Sequence, residues 1–206
     1  MSFSSLTVTR SSRRKYSNKV SAFSPKCPAK ALISSGMAVF RLHDHAHLHS
    51  VDFIHMGYIE RLGLPIQYMY PPLRLGFRQY GLARAMTMRE ITGLSQRHIG
   101  MEHPRMAGNP DAPVTKITLA LGGVGNLAYT TLRDTDTELF ITGETDELGS
   151  AFYANEAASL GLNKNLLVLG HCESEQYGMK YLAIWLHEQL PELETQFFRS
   201  GPTYQY

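Results

Sequence analysis

Regular alternation of strand and helix patterns in the C-terminal half most constrains the fold of this chain. Short apolar or β-branched runs predict strands, and helical patterns follow three of them. The predicted strands are VTKITLAL, ELFIT, NLLVLG and TQFFRS, and the predicted helices are LAYTTLR, LGSAFYANEAASLG and YGMKYLAIWLHEQL. This alternation predicts an α/β domain with a largely parallel sheet. Ligands of such sheets gather at the carboxyl ends of the strands, where polar or glycine-rich segments follow here.

The segments before residue 113 have weaker patterns. GMAVFRL predicts a short strand, and apolar residues between 51 and 62 recur at helical spacing, with Gly63 suited to end that helix. PIQYMYPPLRLGF predicts a loop, because Pro71 and Pro72 exclude a helix. GLARAMTMREITGL predicts a second helix, and GNPDAP predicts a turn.

The composition is that of an ordinary soluble globular protein, with 206 residues, 43% hydrophobic and 18% charged residues and a net charge of +2. Cys27 and Cys172 cannot supply a disulfide framework or a cysteine-rich zinc ribbon, which favours a reducing compartment. No apolar run approaches the roughly 20 residues that span a bilayer, so we expect no membrane partner. A nucleic-acid partner is not favoured, because the sequence after the tail shows no basic face.

Residues 1–30 differ from the rest of the chain. They are rich in serine and basic residues, and no acidic residue precedes Asp44. This composition is typical of an organellar transit peptide, but it also fits a disordered basic tail or a misplaced gene start. We therefore expect a cytoplasmic protein, or a mitochondrial one if residues 1–30 are a transit peptide.

Histidines are concentrated just after this tail. Five of the nine histidines lie between His43 and His55, in RLHDHAHLHSVDFIH. Imidazole and carboxylate groups are usual ligands of zinc, manganese and iron. In a strand His43, His45 and His47 would share one face, with Asp44 on the other. The alternative is a solvated polar turn that is rich in histidine.

A second polar group follows the last two apolar strands. His171 and Glu175 stand four residues apart at a predicted helix start, so they share one helix face. Glu144 directly follows the strand ELFIT, and we expect it to lie close to this pair. His171 and Glu175 are either metal ligands or an ordinary polar helix start. The loop GGVGN is either a tight strand-to-helix turn or an anion-binding turn.

Three segments together resemble the NIF-three-like family, whose members are often labelled dinuclear-metal-centre or GTP cyclohydrolase I type 2-like proteins. They are ELFITGE, LLVLGHCESEQYGMKYLA, and FRLHDHAH leading into a helix that ends at RLG. The resemblance covers residues 31–206 and implies largely parallel sheets flanked by helices, with residues 31–112 as a remnant of the first lobe and 113–206 as the second lobe. It also implies a hexameric ring as the assembly.

The resemblance further implies a two-metal site. His171 and Glu175 would be ligands, together with residues among His43, Asp44, His45 and His47. Family members also carry a strand-end His-His or His-Glu before proline, and no such motif precedes Phe40. We therefore expect either a truncated first domain or a misplaced gene start, and a mono- or dinuclear metal centre.

The function expected from these features is binding of a divalent cation, zinc, manganese or iron, and hydrolysis of a small molecule by metal-activated water. Glu144 would act as a general base or would support a ligand. The alternative is a non-catalytic oligomeric scaffold or regulatory interaction protein with an incomplete metal site. The substrate is not predicted by any motif.

Overall fold

The computed structural model describes residues 34–36, 38, 40–48 and 50–200. The predicted basic tail, residues 1–30, lies outside the described residues, as does His49. No helix in the part of the chain that the structure describes is both long and apolar enough to cross a membrane.

The described chain contains six helices and six strands, and strand and helix alternate from β4 onward. The helices are α1 (Asp44–Leu48), α2 (Phe53–Leu62), α3 (Met88–Ile99), α4 (Leu127–Asp134), α5 (Phe152–Ser159, preceded by a π-helical turn, Glu147–Ala151) and α6 (His171–Gln189). The strands are β1 (Ile66–Arg74), β2 (Phe77–Thr87), β3 (Arg105–Ala107), β4 (Pro113–Gly123), β5 (Leu139–Glu144) and β6 (Asn165–Val168).

The strands form one mixed sheet in the order β1-β2-β4-β5-β6-β3. The α/β class is confirmed, and β4, β5 and β6 pair in parallel at the centre of the sheet, as predicted. The other three pairings, β1 with β2, β2 with β4 and β3 with β6, are antiparallel, so the sheet is not largely parallel. Parallel pairing needs a long crossover between strands, and helices α4 and α5 lie in the crossovers from β4 to β5 and from β5 to β6.

The central strands bury both of their faces, because successive side chains of a strand point to opposite sides of the sheet. Ile117, Leu119 and Ile141 belong to a larger apolar core beneath α2, α3 and α6. Ala120 and Phe140, at the intervening positions, belong to a smaller core beneath α4 and α5. The sheet therefore lies between two helical layers, as the apolar runs of β4, β5 and β6 predict.

Helices α2 and α6 cross in the larger core at two glycines. A Cβ atom on Gly57 would overlap the Tyr177 carbonyl, and one on Gly178 would overlap the Cα atom of Ile54. The two backbones thus touch where no side chain intervenes. This contact fixes the beginning of α2 beside the first two turns of α6.

Two predictions for the first half of the chain were wrong. The segment predicted as a loop, PIQYMYPPLRLGF, contains β1, which carries Pro71 and Pro72 at the edge of the sheet. An edge strand has one side without ladder bonds, so it tolerates residues without an N–H. The segment GLARAMTMREITGL was predicted as one helix, but its first half continues β2 and α3 begins only at Met88. Thr87 and Glu90 form a capping box at that helix start.

Two further predicted strands are absent from the described residues. The described positions of GMAVFRL, residues 36, 38 and 40–42, form no strand, and neither does TQFFRS. Phe197 in the latter packs against the larger core, and Arg199 donates a hydrogen bond to the Ile99 carbonyl at 3.0 Å. The C-terminal segment is therefore held by side chains and not by a strand ladder.

The predicted division into two lobes remains a prediction. Strands from both sides of residue 112 belong to the same sheet, since β2 pairs with β4 from Arg78 to Thr87. The predicted helix ending at Gly63 is confirmed as α2, and Gly63 has the left-handed conformation (φ 62°) that such helix ends need.

Candidate metal centre

The parallel strands bring three chain segments to one edge of the sheet. β4 ends at Gly122 and Gly123, β5 ends at Glu144, and β6 leads through Gly170 into α6. Because parallel strands end at the same edge, the polar residues that follow them come together. This edge carries the candidate metal centre.

His171 links two carboxylates at this edge. Its Nδ1 lies 2.8 Å from Glu144 Oε1, and its Nε2 lies 3.6 Å from Glu175 Oε2. His171 and Glu175 share one face of α6, as their spacing predicts. Glu175 is buried, with 8% of its surface exposed. A buried carboxylate needs a charged or hydrogen-bonding partner, and His171 faces it from the same helix.

Gly122 leaves the space that this pair occupies. Its backbone is left-handed (φ 83°), and a Cβ atom there would overlap the Glu175 carboxylate and lie 3.3 Å from His171 Nε2. Ser174 holds this approach in place, because its Oγ accepts a hydrogen bond from Gly122 N at 3.0 Å and donates to the His171 carbonyl at 2.8 Å. GGVGN thus contributes a close backbone approach to the centre in addition to a turn.

The histidine-rich segment supplies the other wall. Ligand atoms of His43, His47 and Glu175 all lie within 4.8 Å of one another, which makes these three a group that could hold a metal ion. The segment is helical here and not extended, so His43 and His47 lie one turn apart, with ring centroids 5.4 Å apart. His45 is exposed and outside this group, because it lies about half a turn from both.

Asp44 also lies outside the three-residue group. It is exposed, and its Oδ1 lies 2.6 Å from His43 Nδ1. The hydrogen bond with His43 lowers the pKa of Asp44. Asp44 therefore contacts a nitrogen of a candidate ligand from the solvent side.

Asp52 orients His47 from behind. It caps α2, where its Oδ1 accepts hydrogen bonds from the amides of Ile54 (2.9 Å) and His55 (3.1 Å). Its Oδ2 lies 2.9 Å from His47 Nδ1, which leaves Nε2 of His47 available as a ligand atom. Burial is the largest single effect and disfavours charge on both groups, but their mutual hydrogen bond and the charges around them together outweigh it, so the pKa of His47 is raised and the pKa of Asp52 is lowered.

His55 lies behind this pair, fully buried. Its Nδ1 lies 3.1 Å from the Tyr80 hydroxyl, and its Nε2 makes no hydrogen bond to any described residue. Burial lowers the pKa of His55 to about 4, against the opposing charge of Asp52. His55 is therefore neutral at physiological pH, and its Nε2 lies 3.6 Å from Asp52 Oδ2, beyond hydrogen-bond distance.

A cavity of about 350 Å³ lies beside the centre. His47, Asp52 and His55 line one side of it, and the turn between β1 and β2 lines the other. His47 thus belongs to both the cluster and the cavity wall. A small molecule in this cavity would therefore lie against His47, one of the three candidate ligands.

The predicted site residues divide into two groups. The structure brings together His43, His47, Glu144, His171 and Glu175, and it leaves Asp44 and His45 on the exposed side. The sequence-based prediction of ligands omitted Asp52 and His55. An N-cap signal, Asp followed by a helical pattern, was the available indication for Asp52, whereas His55 resembles any apolar-face histidine.

This fold and edge define an α/β protein with a cluster of histidine and carboxylate groups that could hold a divalent cation. The Duf34/NIF3 (NGG1p interacting factor 3) family model matches residues 20–202. The chain belongs to this family, and the resemblance inferred from ELFITGE and GHCESE is confirmed. No curated protein matches the chain.

Several solved structures share the fold. Protein ybgI, of unknown function, is 19% identical with a TM-score of 0.64, covering 82% of this chain and 66% of that chain. TTHA1606 from Thermus thermophilus is 20% identical with a TM-score of 0.57, covering 85% and 65%. Reduced HcgD from Methanocaldococcus jannaschii is 14% identical with a TM-score of 0.60, covering 78% and 61%. This chain therefore spans two thirds or less of the length of these structures.

Proposed function

We propose that this protein binds a divalent cation at the centre formed by His43, His47 and Glu175, with His171 at its side. The observation that carries the proposal is the approach of three ligand atoms within 4.8 Å from two separate helices. His47 and Glu175 are more than 100 residues apart in sequence. Two imidazoles and a carboxylate suit zinc, manganese and iron.

The surroundings of the centre fit such a cation. A histidine that binds a metal through one ring nitrogen commonly donates a hydrogen bond from the other to a carboxylate, which fixes the orientation of the ring. His47 does so with Asp52 and His171 with Glu144, each through Nδ1, and Nε2 of His171 lies 3.6 Å from Glu175 Oε2. Gly122 has no side chain, so the Glu175 carboxylate and the His171 ring can lie against its backbone. These features support a preformed cation site.

A divalent cation here would lower the pKa of a bound water and polarise a substrate oxygen, which is the chemistry of hydrolysis. The chain's own groups would prepare that chemistry. Glu175 would supply a buried negative charge, and Asp52 would hold the His47 ring in one orientation. Glu144 is bonded to His171, so we assign it the positioning of that ring in place of the general-base role.

Metal analysis of the purified protein tests the proposal. We expect bound zinc, manganese or iron that chelation removes, and reduced metal content in His47→Ala, His171→Ala and Glu175→Ala. His98→Ala is the control, since His98 is exposed on α3 and belongs to no group of candidate metal ligands among the described residues. Equal metal content in all of these proteins would contradict the proposal. Loss of metal from the His98 variant as well would indicate non-specific binding.

We also propose that the protein assembles with further copies of itself. β1 lies at one edge of the sheet and exposes apolar side chains, among them Tyr68 (56% exposed), and Leu75 (53%) follows in the turn after it. Exposed apolar edges of this kind support an interface. Light scattering after size exclusion would show an oligomer that Leu75→Lys dissociates. An assembled protein that takes up no metal would favour a scaffold over a hydrolase.

A further inference from the structure

Two arginines line the cavity opposite the histidines. Arg74 ends β1 and Arg78 lies near the start of β2, so the tight turn between them brings both guanidinium groups to the cavity wall. His47, Asp52 and His55 line the same cavity. The cavity therefore joins the candidate metal centre to a positively charged turn.

Arg78 has no acidic partner among the described residues. Its Nη1 donates to the Ser50 carbonyl at 3.2 Å and contacts Met69 Sδ at 3.0 Å. A guanidinium carries five N–H donors, so most of its donors remain available. Burial is the main cause that lowers the pKa of His55, and the charges of His47 and Arg78 lower it further. The positive charge of Arg78 therefore reaches the buried His55 ring.

Arg74 is held at the outer end of the cavity by an aromatic ring. Its guanidinium carbon lies 5.3 Å from the centre of the Phe77 ring, within the range of a cation–π contact. The pKa of Asp134 is lowered chiefly by its hydrogen bonds with Arg133, and the charge of Arg74 adds only a smaller lowering. Within the described part of the chain, no carboxylate oxygen lies within 4.0 Å of the Arg74 guanidinium.

His55 provides an independent indication of a ligand. Its Nε2 is fully buried and makes no hydrogen bond to a described residue, with Asp52 Oδ2 3.6 Å away, and His55 lines this cavity. A buried polar atom without a hydrogen bond is unfavourable, and a ligand atom in the cavity would supply that bond. The one acid that lines the cavity, Asp52, is neutralised by His47 and by the amides at the start of α2. The net charge presented to a ligand is therefore positive.

We propose that Arg74 and Arg78 bind the phosphate group of a small phosphorylated substrate, whose reacting part lies toward His47 and Glu175. The orientation of the substrate in this assignment rests on the proposed metal-dependent function. Two guanidiniums match the charge of a phosphate monoester, about −1.5 to −2 at pH 7, whereas a single carboxylate would leave one charge unbalanced. A cavity of about 350 Å³ is at the small end of ligand sites, so it suits a compact molecule.

Calorimetric titration with inorganic phosphate tests this assignment, in chelator-treated protein and in protein loaded with manganese. We expect Arg78→Gln to raise the Kd for phosphate at least about tenfold in both states, and Arg74→Gln to raise it by less, because Arg74 is more exposed. Arg78→Lys keeps the charge without the two-pronged geometry and should fall between the wild type and Arg78→Gln. Arg84→Gln is the matched control on the same strand, where Arg84 is exposed beside Glu90.

The outcomes separate this assignment from the proposed function. Phosphate binding that depends on Arg78 in protein that takes up no metal would support the phosphate site and overturn the metal site. Phosphate binding that requires manganese and is unchanged in both arginine variants would overturn the phosphate site alone. Absence of phosphate binding in wild-type protein, or an equal effect of Arg84→Gln, would also overturn it. A melting temperature for each variant separates loss of binding from loss of folding.

Discussion

The contact between α2 and α6 allows a prediction that connects the fold to the site. In Gly178→Ala the new Cβ atom would overlap Ile54 Cα and lie 2.7 Å from Ile54 Cδ1 and 3.1 Å from its Cβ. Ordinary carbon contacts are about 3.5–4.0 Å, so the two helices must separate by roughly 1 Å. The obstructing atoms include backbone, which cannot rotate away as a side chain does.

The expected cost of this substitution follows from two opposing terms. Overpacking a well-packed core costs about 1–3 kcal/mol, and we take the upper end because the backbone must move. Alanine in place of a helical glycine returns about 1 kcal/mol. The net loss in the free energy of unfolding is therefore about 2 kcal/mol, or roughly 4–8 °C in Tm for a chain of this size.

Chemical denaturation and thermal melting measure this loss, and Gly93→Ala is the matched control. Gly93 is also helical, but a Cβ atom there would meet only the mobile end of Arg97 at 3.2 Å. Gly93→Ala should therefore stabilise the protein by about 0.5–1 kcal/mol. The reasoning is refuted if Gly178→Ala is as stable as Gly93→Ala. Gly178→Ala should also weaken metal binding, because α6 carries Glu175 and the start of α2 lies against His47.

Three further predictions concern the groups behind the centre. Burial lowers the pKa of His55 from 6.5 to about 4, so the free energy of unfolding is retained above pH 6.5 and declines by about 2.5 kcal/mol between pH 6.5 and 4.5. Denaturation of His55→Gln at several pH values should lack this part of the decline. An unchanged decline would contradict the assignment of a buried, neutral His55. Glu144→Gln should weaken cation binding about 10- to 100-fold without changing Tm, since Glu144 only orients His171; unaltered affinity would show that the ring needs no such support. Asp52→Asn should keep the α2 cap yet lower the pKa of His47 in an NMR titration. Asp52→Ala should also lower the free energy of unfolding by about 1 kcal/mol, because the cap is lost. An unshifted His47 pKa in the asparagine variant would count against the pairing of Asp52 with His47.

The second half of the fold was predictable because its patterns are local and repeated. β4, β5 and β6 have continuous apolar runs, and each is followed by a polar or glycine-rich turn and then a helix, so their type and order follow from the sequence. The proximity of Glu144 to His171 follows in turn, since parallel strands end at one edge.

The first half was less predictable because tertiary pairing overrides local preference there. GLARAM contains good helix formers, yet it continues β2 because β2 is paired on both sides, with β1 and β4. Pro71 and Pro72 exclude a helix but do not exclude an edge strand. With the turn between β1 and β2 predicted only as a loop, the approach of Arg74 and Arg78 to His55 was not predictable.

The secondary structure of the histidine-rich segment was also not predicted, so the sequence did not identify which of its residues face the candidate metal centre. A strand would place His43, His45 and His47 together, whereas the observed helix α1 brings His43 and His47 together without His45. Sequence composition indicated a metal site, but the helical period decides which side chains face it.

Titration of chelator-treated protein with Co²⁺ tests the central claim most directly, because the visible absorption of the ion reports its ligands. We predict one saturable site whose spectrum is lost or strongly weakened in His43→Ala, His47→Ala and Glu175→Gln, while the exposed-residue control His98→Ala binds as the wild type does. Identical spectra and affinities in all of these proteins, or no saturable binding by the wild type, would contradict the assignment of this centre.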